Sequence, residues 1–378
     1  MQFNTIMWYI IIGDYMNFKD AKQFGFSQEE LLNTNRDENG SIVLDGKINL
    51  KELPIDAREG MGTEEREKFW FKTQDGKAYM FKSCVDGIEN YGIYSEIIAA
   101  EVAKKLNIPC ANYELATING QRGIITESIV KDDEDMITLE DFVGGVQAHP
   151  DEPANVDFRY TSKQLENRLD IGGYDEETKK AIMKEFYNRA AFDFLVGETD
   201  RHSENISFIY KKGNHKNIRM APLYDTENAF CLGEHSQNVI DYAMNREMGI
   251  QAAKDIIPKM VLVPNKDASA EKINLATLDE VLNVEFDEDD YGPDSLLFDA
   301  IDNVDMDEIF ESLEEKMNAD LPFEVKRTAK QFIAFKKKRA EQMLYGDIAI
   351  KRDEAYIDKT EKTIEANDKS TIDMNLIE

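Results

Sequence analysis

GETDRHSENISFIYKKGNHKNIRMAPLYDTENAF, residues Gly197 to Phe230, decides how the rest of the chain is read. It holds Asp200, then Asn205, then a second acid, Asp225. Ile206–Tyr210 and Ile218–Ala221 alternate or run apolar and flank KKGNHKN, which is rich in turn formers. A hairpin returns the chain close to where it began. Asp200, Asn205 and Asp225 are therefore expected at one end of one structure. Taken singly, each acid reads as a cap or a turn residue.

Three oxygen-bearing side chains in one place suit Mg²⁺, a hard cation that takes few carboxylates together with substrate phosphates. One Asp can stay free of the metal and accept a proton from an attacking hydroxyl. That division of labour belongs to phosphoryl transfer. Asn205 and Asp225 are the candidate metal ligands and Asp200 the candidate general base.

A phosphate-holding half should lie upstream. Phe69–Phe71 and Ala78–Phe81 are apolar runs joined by TQDGK, a hairpin with Asp-Gly at its turn. Lys82 ends the second strand, where a cation suits nucleotide phosphates. Before the hairpin lies Gly60-Met-Gly62-Thr63, whose glycines would let backbone N–H groups approach phosphates. Taken alone, that motif is a plain turn. Lys68 is a second candidate phosphate contact, with a solvated lysine as the alternative.

YGIYSEIIAAEVAKKL, Tyr91–Leu106, reads as a helix. At roughly 100° per residue, Glu101, Lys104 and Lys105 share one face, while Glu96 falls among Ile93, Ile97, Ala100 and Ala103. A carboxylate on an apolar face is costly unless paired. Lys82 is its expected partner. Tyr113–Ile118 and Gly123–Val130 flank Asn119-Gly120, a strong hairpin signal. From its place in the order, the second of these strands leads to a hinge whose backbone around Glu127 and Ile129 would meet an adenine ring.

TDRHSEN, APLYD and the strand lysine followed by YSEIIAAEVAKKLNI resemble the HipA-like serine/threonine protein kinases. The Asp-Arg-His order is also found in phosphoinositide kinases. The resemblance runs over roughly residues 55 to 345. It implies an α+β, two-lobed protein-kinase-like fold with a β-rich small lobe and a mainly helical large lobe. It implies ATP and Mg²⁺ as cofactors and a protein substrate. Thr63 would match a hydroxyl that some members autophosphorylate. The implied division is an N-terminal extension over 1–55, a small lobe over 56–145, a large lobe over 146–346 and a charged tail over 347–378. The first 55 residues lack a clear sign of the extra N-terminal subdomain of longer HipA proteins, so an antitoxin partner is not implied. The alternatives are a kinase for a lipid or small molecule and a nucleotide-binding pseudokinase.

The remaining segments set limits. Asp plus Glu number 75 against 45 Lys plus Arg, a formal charge of −30. So acidic a chain has no broad attraction for nucleic acid or an anionic membrane. KKKR at Lys336–Arg339 reads as the solvated face of a helix. Cys84, Cys110 and Cys231 form neither a disulfide framework nor a zinc pattern and fit a reducing cytoplasm, with secretion as an effector the alternative. The apolar start, MQFNTIMWYIII, is too short to span a bilayer and lacks a basic n-region. FSQEELLN reads as a helix capped by Ser27 and Glu30, and SIVLDGKINL as a hairpin. KDDEDMITLEDF reads as an acidic loop entering a helix, and 145–160 as a linker. Thr178–Gly197 is a largely buried helix, in which Asp193 is a candidate hydrogen-bonding partner for the loop at Asp200. The segment after Phe230, with His235, takes the place of a substrate-binding segment. FDEDDYGPDS fails the EF-hand pattern at its last position. Ser295–Ile301, Asp305–Met317 and Phe323–Leu344 read as helices.

Overall fold

The described strands are β1 (Lys22–Gln23), β2 (Ile42–Val43), β3 (Lys68–Lys72), β4 (Ala78–Ser83), β5 (Tyr113–Ile118), β6 (Gln121–Glu127), β7 (Glu134–Thr138), β8 (Ser207–Lys211), β9 (Asn214–Met220) and a short antiparallel pair, β10 (Met260–Val261) with β11 (Leu275–Ala276). The first six form one sheet in the order β1-β3-β4-β6-β5-β2, and β7, β8 and β9 form a second. The computed structural model describes residues 21–48, 68–84, 91–145, 158–198, 201, 203–232, 260–261, 275–276 and 292–345.

Period-two alternation sorts the first sheet. Phe69, Phe71, Tyr79 and Phe81 point to one face and pack with Phe24, Phe26, Leu31, Ile42, Leu44 and Ile48. The N-terminal residues thus cover the sheet's outer face, and β1 and β2 close its two edges. The other face carries Lys68, Trp70, Met80 and Lys82, brought opposite one another by the pairs Lys68↔Lys82 and Trp70↔Met80. Trp70 and Ala78 meet Val130, Ile209 and Ala221 from beyond the sheet, with Met80, Ile129, Met136 and Tyr224 around them. This apolar cluster joins the two sheets, and the chain passes between them from Glu127 to Glu134.

Both expected hairpins of the first sheet are present. Gly76, at φ +82°, turns β3 into β4, and Asn119 and Gly120, at +53° and +79°, turn β5 into β6. Two positive φ values in succession are what a two-residue Asn-Gly turn requires. SIVLDGKINL differs from expectation. Ile42–Val43 pairs in parallel with Ala116–Thr117 and, through Ile42, antiparallel with Arg36. The chain does turn at Gly46, but the local strand signal is spent on sheet edges and not on a hairpin. Glu134–Thr138 is a strand paired with Ser207–Lys211, not a loop. Its acids are balanced across the sheet: Glu134 accepts from Arg219 of β9 at 3.3 Å.

The helices are α1 (Gln28–Leu32), α2 (Gly92–Lys105), α3 (Leu139–Val143), α4 (Phe158–Gly172), α5 (Glu176–Val196), α6 (Pro293–Asn303), α7 (Met306–Met317) and α8 (Phe323–Tyr345). α1 has the expected capping box of Ser27 and Glu30. α5 begins where Asp175 accepts from the Thr178 amide and ends at Gly197 in the left-handed region. Its second half, Phe186 to Val196, is buried except for the Asn188 edge, under α6 and α8. α4 begins at Phe158, inside the stretch 145–160 expected to be a linker. α7 packs on α2, and Lys316 of α7 bonds Glu114 of β5 at 2.7 Å. The helix carrying Glu96 is therefore braced from behind.

Lys336 is not solvated. It is 2 % exposed, with its ammonium 4.4 Å from the Phe194 ring centre and 5.3 Å from that of Phe332. A cation over aromatic faces tolerates burial that bare hydrocarbon would not allow. No described helix is long and apolar enough to cross a membrane.

Candidate active site

The two halves read from the sequence meet at one ammonium. Lys82 Nζ lies 2.8 Å from Glu96 Oε1 and 2.7 Å from Asp225 Oδ1. It also lies 2.6 Å from Glu227 Oε2. Lys82 is on the inner face of β4, Glu96 is in the first half of α2, and Asp225 and Glu227 follow β9. Burial works against the charge on Lys82, but Asp225, Glu227 and Glu96 outweigh it and hold its pKa well above the usual lysine value. Burial likewise opposes ionisation of Asp225. Lys82 and then Lys68 outweigh it and keep that carboxyl well below the usual range. Lys68, opposite Lys82 in the ladder, is pushed down by burial and by the second ammonium.

The segment leading to Asp225 is fixed by backbone. Leu223 N–H donates to Pro109 O at 2.8 Å, and Ala111 N–H to Leu223 O at 2.8 Å, so the chain lies alongside the entry to β5. Asp225 itself has φ +55°. Its N–H donates to the Tyr113 hydroxyl at 3.2 Å. Burial, and then the neighbouring Glu96 carboxylate, push the Tyr113 phenol well above the ordinary value. One phenol thus links the helix acid to the loop acid. Ser95 Oγ donates to Ala229 O at 2.9 Å, a second tie between α2 and this loop.

Arg201 organises the other side. Its Nε and Nη2 each donate to Asp193 of α5 at 3.0 Å. Its Nη1 donates to Tyr224 O at 2.7 Å and Asn205 O at 3.3 Å. Asn205 is buried in a single 3₁₀ turn, Ser203–Asn205. Tyr224 precedes Asp225. One guanidinium therefore ties both expected metal-ligand positions to α5. Ser203 Oγ adds a 2.7 Å bond to Glu140 of α3, and Tyr224 hydroxyl donates to Glu204 O at 2.8 Å.

Lys82, Glu96 and Asp225 are thus together, and Asn205 is joined to them through Arg201. Asp200, Gly60, Gly62 and Thr63 lie outside the described residues, between or before them. Glu127 points its carboxylate outward, to Lys77 at 3.0 Å and Gln28 at 3.0 Å, so its side chain is not part of the site. Ile129 sits against the apolar cluster between the sheets. Glu227, Arg201 and Tyr113 escaped the sequence reading. Arg201 was visible only as the centre of Asp-Arg-His. Glu227 stands two residues after Asp225, and its carboxylate reaches the same ammonium although Asp225 is left-handed and the chain is not extended there.

The oxygens of Glu96, Asp225 and Glu227 lie within 4.8 Å of one another. Carboxylate and amide oxygens are the donors a hard divalent cation takes. Asp225 and Glu227 therefore offer donors of the kind Mg²⁺ takes.

No curated protein sequence matches the chain. Among solved structures it resembles the proinflammatory kinase CtkA of Helicobacter pylori, with a TM-score of 0.57 at 15 % identity, over 81 % of this chain and 99 % of that one. HipA of Shewanella oneidensis MR-1, solved with HipB and operator DNA, matches with a TM-score of 0.42 at 13 % identity, over 78 % of this chain and 67 % of the other. The likeness to CtkA gives the fold, a two-lobed kinase-like architecture. The family model of the HipA-like C-terminal domain matches residues 46–284 and takes in every site residue named above. The chain therefore belongs to the HipA-like kinase family.

Proposed function

We propose that the chain is an ATP- and Mg²⁺-dependent serine/threonine protein kinase. The observation that carries this reading is the single ammonium of Lys82 in contact with both Glu96 and Asp225. It supports a site in which a strand lysine holds nucleotide phosphates, a helix acid orients that lysine, and a loop acid faces the cation. The apolar cluster of Trp70, Ala78, Met80, Ile129 and Val130 beside it suits an adenine ring, with backbone groups around Glu127 and Ile129 at its edge. Gly60, Gly62, Thr63 and Lys68 would complete the phosphate cradle.

In this reading Asn205 and Asp225 would hold Mg²⁺, whose charge neutralises the nucleotide phosphates. Asp200 accepts the proton of a substrate Ser or Thr hydroxyl. That oxygen bonds to the γ-phosphorus as the bond from γ-phosphorus to the β,γ-bridging oxygen breaks, and ADP leaves with the electron pair. Lys82 stabilises the phosphate charge, and Arg201 keeps the loop of Asp200 and Asn205 in register. Catalysis of this kind rests on positioning and charge neutralisation. The substrate is a protein, and no antitoxin is needed for the chemistry.

Mass spectrometry of the purified protein after incubation with Mg²⁺-ATP, and radiolabel transfer to a generic protein acceptor, test the proposal. Wild type should gain phosphate on Ser or Thr, and Asp200→Ala should gain none while keeping its fold. Equal labelling by Asp200→Ala would remove the general-base assignment. Transfer only to a phosphoinositide or sugar would replace the substrate class.

A further inference from the structure

We infer that Glu227 is a further acidic ligand of the cation that accompanies the nucleotide, held on Lys82 until the nucleotide arrives. This rests on the kinase reading above and adds a residue to its metal site. Asp225 and Glu227 are separated by Thr226, which is fully buried, and followed by Asn228, which is nearly so. The segment is therefore anchored at alternate positions. Its two acids turn the same way and meet one ammonium, Asp225 Oδ1 at 2.7 Å and Glu227 Oε2 at 2.6 Å.

The three carboxylates on Lys82 are not equivalent. The Glu96 side chain is 3 % exposed, whereas Asp225 and Glu227 keep 29 % and 24 %. Glu96 can only remain with the lysine. The other two are partly exposed to solvent, from which a ligand would reach them. When nucleotide phosphates draw the ammonium, Asp225 and Glu227 lose the nearest counter-charge they share, and the more distant Lys68 offsets only part of it. Two adjacent carboxylates in a partly dry site repel strongly unless a cation replaces the one withdrawn.

The spacing permits that replacement. Two oxygens on one Mg²⁺ lie at most about 4.2 Å apart, twice the usual metal–oxygen distance. The oxygens here lie within 4.8 Å of one another, so a side-chain adjustment closes the gap. The ammonium already stands where a cation is bound by both acids. An alternative role for Glu227 is a plug that competes with phosphate for Lys82. It predicts the opposite sign: removing the carboxylate would tighten nucleotide binding.

Mn²⁺ in place of Mg²⁺ separates these cases, read by electron paramagnetic resonance as metal bound in the presence of a non-hydrolysable ATP analogue. Wild type, Glu227→Gln, Glu227→Asp and Asp225→Asn are compared. Glu227→Gln should weaken Mn²⁺ uptake at least about ten-fold, with Glu227→Asp intermediate. Thermal unfolding of the metal-free variants checks that each is folded. If wild type takes up no Mn²⁺ with the analogue, the kinase reading itself is overturned. If wild type takes it up, Asp225→Asn does not, and Glu227→Gln equals or exceeds wild type, the role of Glu227 alone is overturned.

Discussion

Arg201 grips Asp193 with two parallel hydrogen bonds of 3.0 Å, and both side chains are 2 % exposed. The pair binds the loop that carries Asn205 to the buried end of α5. Removing one partner of a buried pair leaves an uncompensated charge, at a cost of about 3–5 kcal/mol. Arg201→Met should therefore lower the unfolding free energy by about that much in urea titration. The two carbonyls that Arg201 serves, Asn205 O and Tyr224 O, lose their donor as well. The double variant Arg201→Met with Asp193→Leu should regain most of the stability, because neither charge remains buried. It should not regain phosphoryl transfer, because the tether is still absent. A loss below about 1 kcal/mol for Arg201→Met would show the pair to be incidental.

Lys82→Met gives a pH-dependent result. Burial raises the Glu96 pKa, as do Asp225 and Glu227, and Lys82 is the group that opposes the rise. Without the ammonium, the folded-state pKa of Glu96 climbs further above its unfolded value. A carboxyl with a raised folded pKa contributes stability that is present below the unfolded pKa and lost as pH rises through the folded one. The stability deficit of Lys82→Met should therefore be small near pH 4 and grow toward neutrality, roughly following that linkage. Adding Glu96→Gln should flatten the curve. Thermal unfolding from acid to neutral pH, without nucleotide, reads both outcomes. A deficit independent of pH would mean that Glu96 does not feel the loss.

The Lys82–Glu96 pair was legible because a charged residue on an apolar helix face demands a partner, and the preceding strand offers a cation. The β3–β4 and β5–β6 hairpins were legible because Asp-Gly and Asn-Gly punctuate alternating runs. The β8–β9 hairpin was legible too, but KKGNHKN is not all turn: β8 runs to Lys211 and β9 begins at Asn214, because polar residues pair as well as apolar ones where a strand runs out into solvent. Glu134–Thr138 was not. Its acids suggested a loop, and their counter-charge, Arg219, lies 85 residues away. Lys336 was misread for a related reason: the Phe194 and Phe332 rings that receive it come together only in the fold. Glu227 was missed because an acid in a loop has no local pattern to mark it. What sequence reasoning loses here is partnership across distance, which periodicity does not encode.

Tyr113→Phe tests the link between the helix acid and the loop acid. The Tyr113 hydroxyl accepts from the Asp225 amide at 3.2 Å and has the Glu96 carboxylate as a neighbour. Its removal leaves a backbone N–H without this acceptor at a residue already held at φ +55°. Leaving one buried polar group unmatched costs about 1–3 kcal/mol. The variant should unfold at correspondingly lower denaturant and take up Mn²⁺ with nucleotide less tightly than wild type. Unchanged metal uptake would show that Asp225 is positioned by its other contacts alone.

Gly197→Ala should be among the most damaging single-methyl additions to this chain. Gly197 ends α5 at φ +70°, a conformation that costs an L-residue about 1–2 kcal/mol. A Cβ there would also overlap the Phe332 ring of α8. Overpacking adds about 1–3 kcal/mol, so the sum is roughly 2–5 kcal/mol of lost stability. The two terms can be separated. In a Phe332→Ala background the overlap vanishes and only the backbone strain remains, so Gly197→Ala should cost about 1–2 kcal/mol there. A mutant cycle in urea measures the difference. Activity provides a second readout, because Gly197 lies three residues before Asp200 and sets the direction in which the chain leaves α5. If the double variant recovers stability but not phosphate transfer, the left-handed exit at Gly197 is what aims the catalytic loop. Recovery of both would assign its effect to packing against α8.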